Sequence, residues 1–144
     1  MSTSVVNLNH RPAPKYDIYV GRQGRGQSGY FGNPHQIGEC RSCVAKFKVK
    51  TEHTPDECLA LYEAYFFERV ANDGEFRTGL MKLRGKVLAC FCVKRDGTGR
   101  CHALVIARFL DSLPLVATEE EVIEAARKEL ARLAAEAVAA EEAR

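Results

Sequence analysis

The sequence predicts a small, Rossmann-like layered α/β domain with a short parallel sheet, a zinc-knuckle insertion and a long C-terminal helix. Three observations predict it. Short apolar runs that stop at glycine alternate with helical patterns, the signature of strands and crossover helices. A Cys-x2-Cys pair interrupts that alternation at about residues 38–53. The stretch "TEEEVIEAARKELARLAAEAVAAEEAR" has the period of one long helix. The boundaries expected are a flexible lead-in over 1–15, the α/β domain over 16–112 and the C-terminal helix over 117–144.

The first strand is expected in "YDIYVGR", an apolar run stopping at Gly21. "GRQGRGQSGYFGNP" then brings five glycines in a short loop, at 21, 24, 26, 29 and 32. Backbone there can approach a ligand closely. "GRGQSG" matches G-x-G-x-x-G, but the dinucleotide fingerprint must open a helix, and Gly32, Asn33 and Pro34 deny one. What survives is an amide-rich loop with Arg22 and Arg25 that could hold a phosphate or another anion, set against an ordinary surface loop.

"CVAKFKVKTEH" alternates Ala45, Phe47 and Val49 with Lys46, Lys48 and Lys50, which reads as a half-buried strand with a basic outer face. "HTPDECLALYEAYFFERVAND" is the clearest helix. Thr54 caps it, Pro55 opens it and Glu57 completes a capping box. Leu59, Tyr62, Phe66 and Val70 share its core face, and Asn72, Asp73 and Gly74 end it. "LRGKVLACFCV" is the next buried strand, "KRDGTGR" a glycine loop, and "CHALVIARFLDSL" a helix broken at Pro114. In the tail, Thr118 and Glu121 form a second capping box. Val122, Ala126, Leu130, Leu133 and Ala137 make a thin stripe.

The 144 residues suffice for one domain with its own core, and 46% apolar with 28% charged residues is a soluble globular composition. A net charge of +2 argues for no particular partner, so nucleic-acid binding would need a local basic patch. No secretory leader and no run of eighteen apolar residues is seen. A cytosolic setting follows as an expectation, in which clustered cysteines are more often metal ligands or catalytic groups than disulfides.

Two sulfur clusters stand out. Cys40 and Cys43 have zinc-knuckle spacing, and His53 and Cys58 supply a second half. With Thr54 as cap, His53 precedes the cap and Cys58 is the fourth helical residue. Those two positions meet in a hydrophobic staple, so one ion could reach both. A buried Cys58 with a solvent-facing His53 is the plain alternative. The second cluster is Cys90, Cys92, Cys101 and His102. It could be a second metal site, a thiolate nucleophile beside a histidine, an anion pocket at a helix start, or packing. His102 is harder to read as packing, because a core histidine needs a polar partner.

In α/β sheets ligands sit off the carboxyl ends of the strands. The glycine loop and the Cys90–His102 segment both fall there. The expected cleft therefore lies between them, with Gly21, Arg22, Gly32 and Asn33 as ligand-binding residues and Cys92, Cys101 and His102 as catalytic or metal-binding ones. The expected ligand is a nucleotide or other phosphate-bearing small molecule. The rival is a non-catalytic interaction module in which Arg41, Lys46, Lys48 and Lys50 meet nucleic acid or a host protein while the tail helix forms a homodimer. No membrane contact is expected.

Taken together, "IYVGR", "FGNP", "LRGKVLACFC" and "CHALVIARFL" resemble a family of uncharacterised domains widespread in bacteriophage and bacterial genomes. The resemblance runs over roughly residues 16–110 and rests on Gly21, Arg22, Gly32, Asn33, Pro34, Tyr62, Leu83, Arg84, Gly85, Lys86, Cys90, Cys92, Cys101 and His102. It implies a fold and a site location but no reaction, and the family's usual setting implies a phage origin, hence a host cytoplasm. His35 stands where members commonly carry phenylalanine. The Cys-x2-Cys segment resembles an insertion found in some members only, and the tail helix lies outside the pattern.

Overall fold

The computed structural model describes residues 2–10, 12, 14–21, 30–34, 38–90 and 102–143. A three-stranded parallel sheet organises them: β1 (Ser4–Asn7), β2 (Ile18–Tyr19) and, in the centre, β5 (Val87–Cys90). Val5 pairs with Leu88 and Val6 with Ala89 on one side of β5, while Ile18 pairs with Leu88 and Tyr19 with Ala89 on the other. Leu88, Ala89 and Cys90 are fully buried, as a central parallel strand requires.

β1 corrects the expectation of a loose lead-in. It has only two apolar residues and lies at a sheet edge, too short for a periodic signal. Pairing with β5 defines it, together with the Thr3 N–H donating to both carboxylate oxygens of Asp111 at 3.0 and 3.1 Å.

Helix α2 (Pro55–Asn72) is built as its cap dictates. The Thr54 hydroxyl accepts from the Glu57 N–H at 3.2 Å, and Glu57 accepts from the Thr54 N–H at 2.9 Å. Tyr62, Phe66 and Val70 are fully buried, and Leu59 is half-buried. The sequence pattern stops at Gly74, but the chain does not. Asp73 closes α2 and at once caps α3 (Gly74–Met81), its side chain accepting from the Phe76 N–H at 3.1 Å. Buried Arg77 then satisfies the end of α2, donating to the Val70 carbonyl at 2.7 Å, and reaches Glu119 at 2.5 Å.

α4 (His102–Ser112) packs on β1 and β5, and α2 packs on α3, α4 and α5 (Glu119–Glu142). Phe66 meets Phe67, Phe76 and Phe109 edge to face at the centre of the core. Of the tail stripe, Val122 and Ala126 are buried, Leu130 and Leu133 half-buried, and Ala137 exposed. The stripe thus stops short of Ala137, because the helix outruns the core it covers. Among the described residues no helix is long and apolar enough to cross a membrane.

Between β2 and α2 lies the insertion: β3 (Gly38–Glu39), α1 (Arg41–Phe47) and β4 (Glu52–His53). The strand expected at "CVAKFKVKTEH" is a correction. Residues 41–47 are helical, and Ala45, Phe47 and Val49, expected inside, are exposed. A strand would send Cys40 and Cys43 to opposite faces, whereas a helical turn brings residues three apart together. Both cysteines are buried.

Candidate metal centre and the carboxyl edge of the sheet

The insertion is organised around sulfur. β3 and β4 pair antiparallel with Gly38 opposite His53 and Glu39 opposite Glu52. Gly38 has φ of 77°, a conformation that suits glycine and turns the chain into the first cysteine. Cys40 sits at the N-cap of α1, its N–H bound to the Thr51 carbonyl at 2.8 Å, and its side chain does not cap the helix. Cys43 follows one turn later.

The ligand atoms of Cys40, Cys43 and His53 lie within 4.8 Å of one another. Cys43 Sγ is 3.4 Å from His53 Nε2. Tetrahedral zinc, with bonds of about 2.3 Å to sulfur and about 2.0 Å to nitrogen, would set S···N at about 3.5 Å. The three residues therefore fit a metal ion in donor type and in spacing. Burial pushes the Cys43 thiol above its ordinary range, the adjoining Cys40 sulfur adds to that, and Lys46 pulls the other way. A cation between the sulfurs would reverse the balance, favouring thiolates and releasing protons.

Cys58 is not among the residues whose ligand atoms lie within 4.8 Å of one another. It is buried at the fourth position of α2, and Asn33 Nδ2 donates both to its sulfur at 3.3 Å and to its carbonyl at 3.1 Å. The Gly-Asn-Pro turn is thereby fastened to the helix that begins just after His53. Neither sequence spacing nor residue type signals this Asn33–Cys58 contact, since the partners are 25 positions apart.

The expected cleft residues fall partly within the described structure. Arg22, Arg25, His35, Cys92 and Cys101 lie outside the described residues. Gly21, Gly32, Asn33, Cys90 and His102 are all buried. His102 opens α4, and its Nε2 is 2.8 Å from the Val20 carbonyl oxygen. A carbonyl can only accept, so Nε2 carries the proton, and in the neutral ring Nδ1 holds the lone pair. Tyr62 donates its hydroxyl to the Phe31 carbonyl at 2.8 Å, and its ring meets the His102 ring edge-on at 5.1 Å between centroids. One tyrosine–histidine pair thus touches both described ends of the glycine loop. At Gly21 any Cβ would overlap the Tyr19 phenol, so the chain turns off β2 with glycine.

Asn7 was missed by the sequence reading. It ends β1 in register with Cys90, is buried, and accepts the Asn9 N–H at 2.8 Å in an Asx turn. Once β1 is recognised as a strand, a polar residue at its carboxyl end is the signal. Arg84 and Lys86 do not join this edge. Arg84 clips the loop after α4 through the Leu113 and Pro114 carbonyls, and Lys86 is exposed.

Fold and site define a small α/β domain with a metal-capable Cys/Cys/His cluster inserted between β2 and α2. The chain belongs to the family described as Domain of unknown function (DUF4326), whose model matches residues 6–112. No curated protein and no solved structure matches the chain.

Proposed function

We propose that this domain binds a nucleotide or another phosphate-bearing small molecule at the carboxyl edge of its parallel sheet, and that a structural zinc ion holds its insertion. The observation that carries the first part is the bridge from His102 to Val20 and from Tyr62 to Phe31. It brings the start of α4 and both described ends of the glycine loop around one buried pair of rings, where α/β domains hold ligands. Loop amides and Arg22 would meet the phosphate, with Gly21 and Gly32 admitting close backbone approach. Asn33 braces the turn. Cys92, Cys101 and His102 would act on the ligand directly or hold a second metal with Cys90.

Zinc is favoured for the insertion because two thiols and an imidazole are its usual donors. Cys58 is the candidate fourth ligand. With Thr54 as the cap, His53 precedes it and Cys58 is the fourth helical residue, the two positions that a hydrophobic staple pairs. A closed four-ligand site of this kind serves folding rather than chemistry.

The test is a thermal-shift panel of nucleotides and inorganic phosphate on the zinc-loaded chain. At least one phosphate-bearing compound should raise the melting temperature, by an amount that grows with its concentration. Arg22→Gln and His102→Asn should abolish that rise while leaving the unliganded melt in place for Arg22→Gln. A panel without any shift, or a shift that survives both substitutions, refutes the reading.

A further inference from the structure

The tip of the insertion carries a feature that neither the metal nor the cleft uses. Residues 41–50, "RSCVAKFKVK", hold Arg41, Lys46, Lys48 and Lys50 and no acid. The chain as a whole is +2, so this segment contributes +4 and the remaining 134 residues sum to −2. Amid these cations stand two large apolar side chains facing water, Phe47 at 57% and Val49 at 61% exposure. Neither belongs to the core.

We propose that this tip binds single-stranded nucleic acid, with bases stacking on Phe47 and phosphates meeting Lys46, Lys48, Lys50 and Arg41. Base stacking on an exposed ring combined with a tracked backbone is how sequence-tolerant single-strand binders work. An acidic peptide would use the cations and leave the aromatic ring without a purpose. Duplex DNA, its bases already stacked, would do the same. The Lys46 ammonium lies over the Phe47 ring, 5.3 Å from its centroid, so cation and aromatic ring form one surface. Lys50 is 3.2 Å from Glu52, but both are well exposed, and such a pair yields readily to a phosphate.

The backbone adds a separate observation. Lys48, which caps α1, has φ of 61°, the only positive φ outside glycine among the described residues. Glycine is the residue that suits this position. A lysine kept in a left-handed conformation points to a use for its side chain rather than to folding.

The experiment is fluorescence anisotropy on the zinc-loaded full chain with labelled oligo-dT and oligo-rU of about twelve nucleotides, within the site sizes such binders cover. A duplex of equal length serves as the comparison. Both single strands should bind more tightly than the duplex at low salt. Phe47→Ala should weaken binding about tenfold or more. Replacing Lys46, Lys48 and Lys50 with glutamine should lower the salt slope by roughly 2. Lys48→Gly should weaken binding while the melting temperature holds or rises, a combination that a purely structural lysine would not give. Phe47→Ala should keep the parent's melting temperature, which separates lost binding from lost folding. Equal affinity for duplex, no loss in Phe47→Ala, or self-association of the chain through this tip without oligonucleotide binding would overturn the proposal.

Discussion

The sheet domain and the insertion are held together by different physics. Around Phe66 the rings of Tyr62, Phe67, Phe76 and Phe109 fill an aromatic core shared by α2, α3 and α4. Among the described side chains of residues 38–53, by contrast, the buried ones are Cys40 and Cys43, while Phe47 and Val49 are exposed. The first region can fold on hydrocarbon burial. The second has little hydrocarbon to bury; it is held by the β3–β4 pairing and gathers Cys40, Cys43 and His53, where the proposed metal would add the rest. Segments too small to form a core commonly depend on a metal in this way.

That contrast can be broken from either side. The largest effect is expected in the core: Phe66→Ala should cost about 3–5 kcal/mol and lower the melting temperature of the whole domain. Arg77→Met, which strips the Val70 carbonyl and Glu119 of their shared donor, should cost about 1.5–3 kcal/mol in denaturant titration. Chelation sharpens the comparison. With metal removed, amides of residues 38–53 should lose protection from hydrogen exchange while those of α4 keep theirs. Equal loss in both regions would mean that the insertion is not a separate unit.

Smaller effects follow. Lys48→Gly should stabilise by up to about 1 kcal/mol, since it relieves a left-handed non-glycine residue. The smallest concerns acid. The Phe76 N–H and then Arg69 hold the Asp73 carboxyl below its ordinary range, and Thr54 does the same for Glu57. Both groups therefore contribute stability that is fully present above the ordinary carboxylate range. It is lost as pH falls through their lowered folded values. Asp73→Asn should give a shallower loss of stability with acid than the parent chain.

The core was legible in the sequence where hydrophobic period and caps agreed. Thr54 with Glu57 and Thr118 with Glu121 marked the starts of α2 and α5, and both capping boxes form. β1 was not legible, because two valines at an edge carry no periodic signal and its definition comes from β5. α3 was hidden behind Asp73, which ends one helix and begins the next.

The insertion shows the reverse pattern. Cysteine spacing brought Cys40, Cys43 and His53 together correctly, yet the alternation of lysines and apolar residues suggested a strand where a helix forms. Alternation reports burial only when there is a core to bury against, and here there is none. The Asn33–Cys58 bond fastens the turn before the insertion to the helix after it, a long-range contact that composition does not encode.

Metal analysis of the purified chain, prepared without chelators, tests the central claim most directly. Zinc should be present in at least one equivalent per chain, and Cys43→Ser should lose one equivalent while its α4 amides stay protected. A chain without zinc, or a Cys43→Ser variant that retains the full amount, would contradict the account.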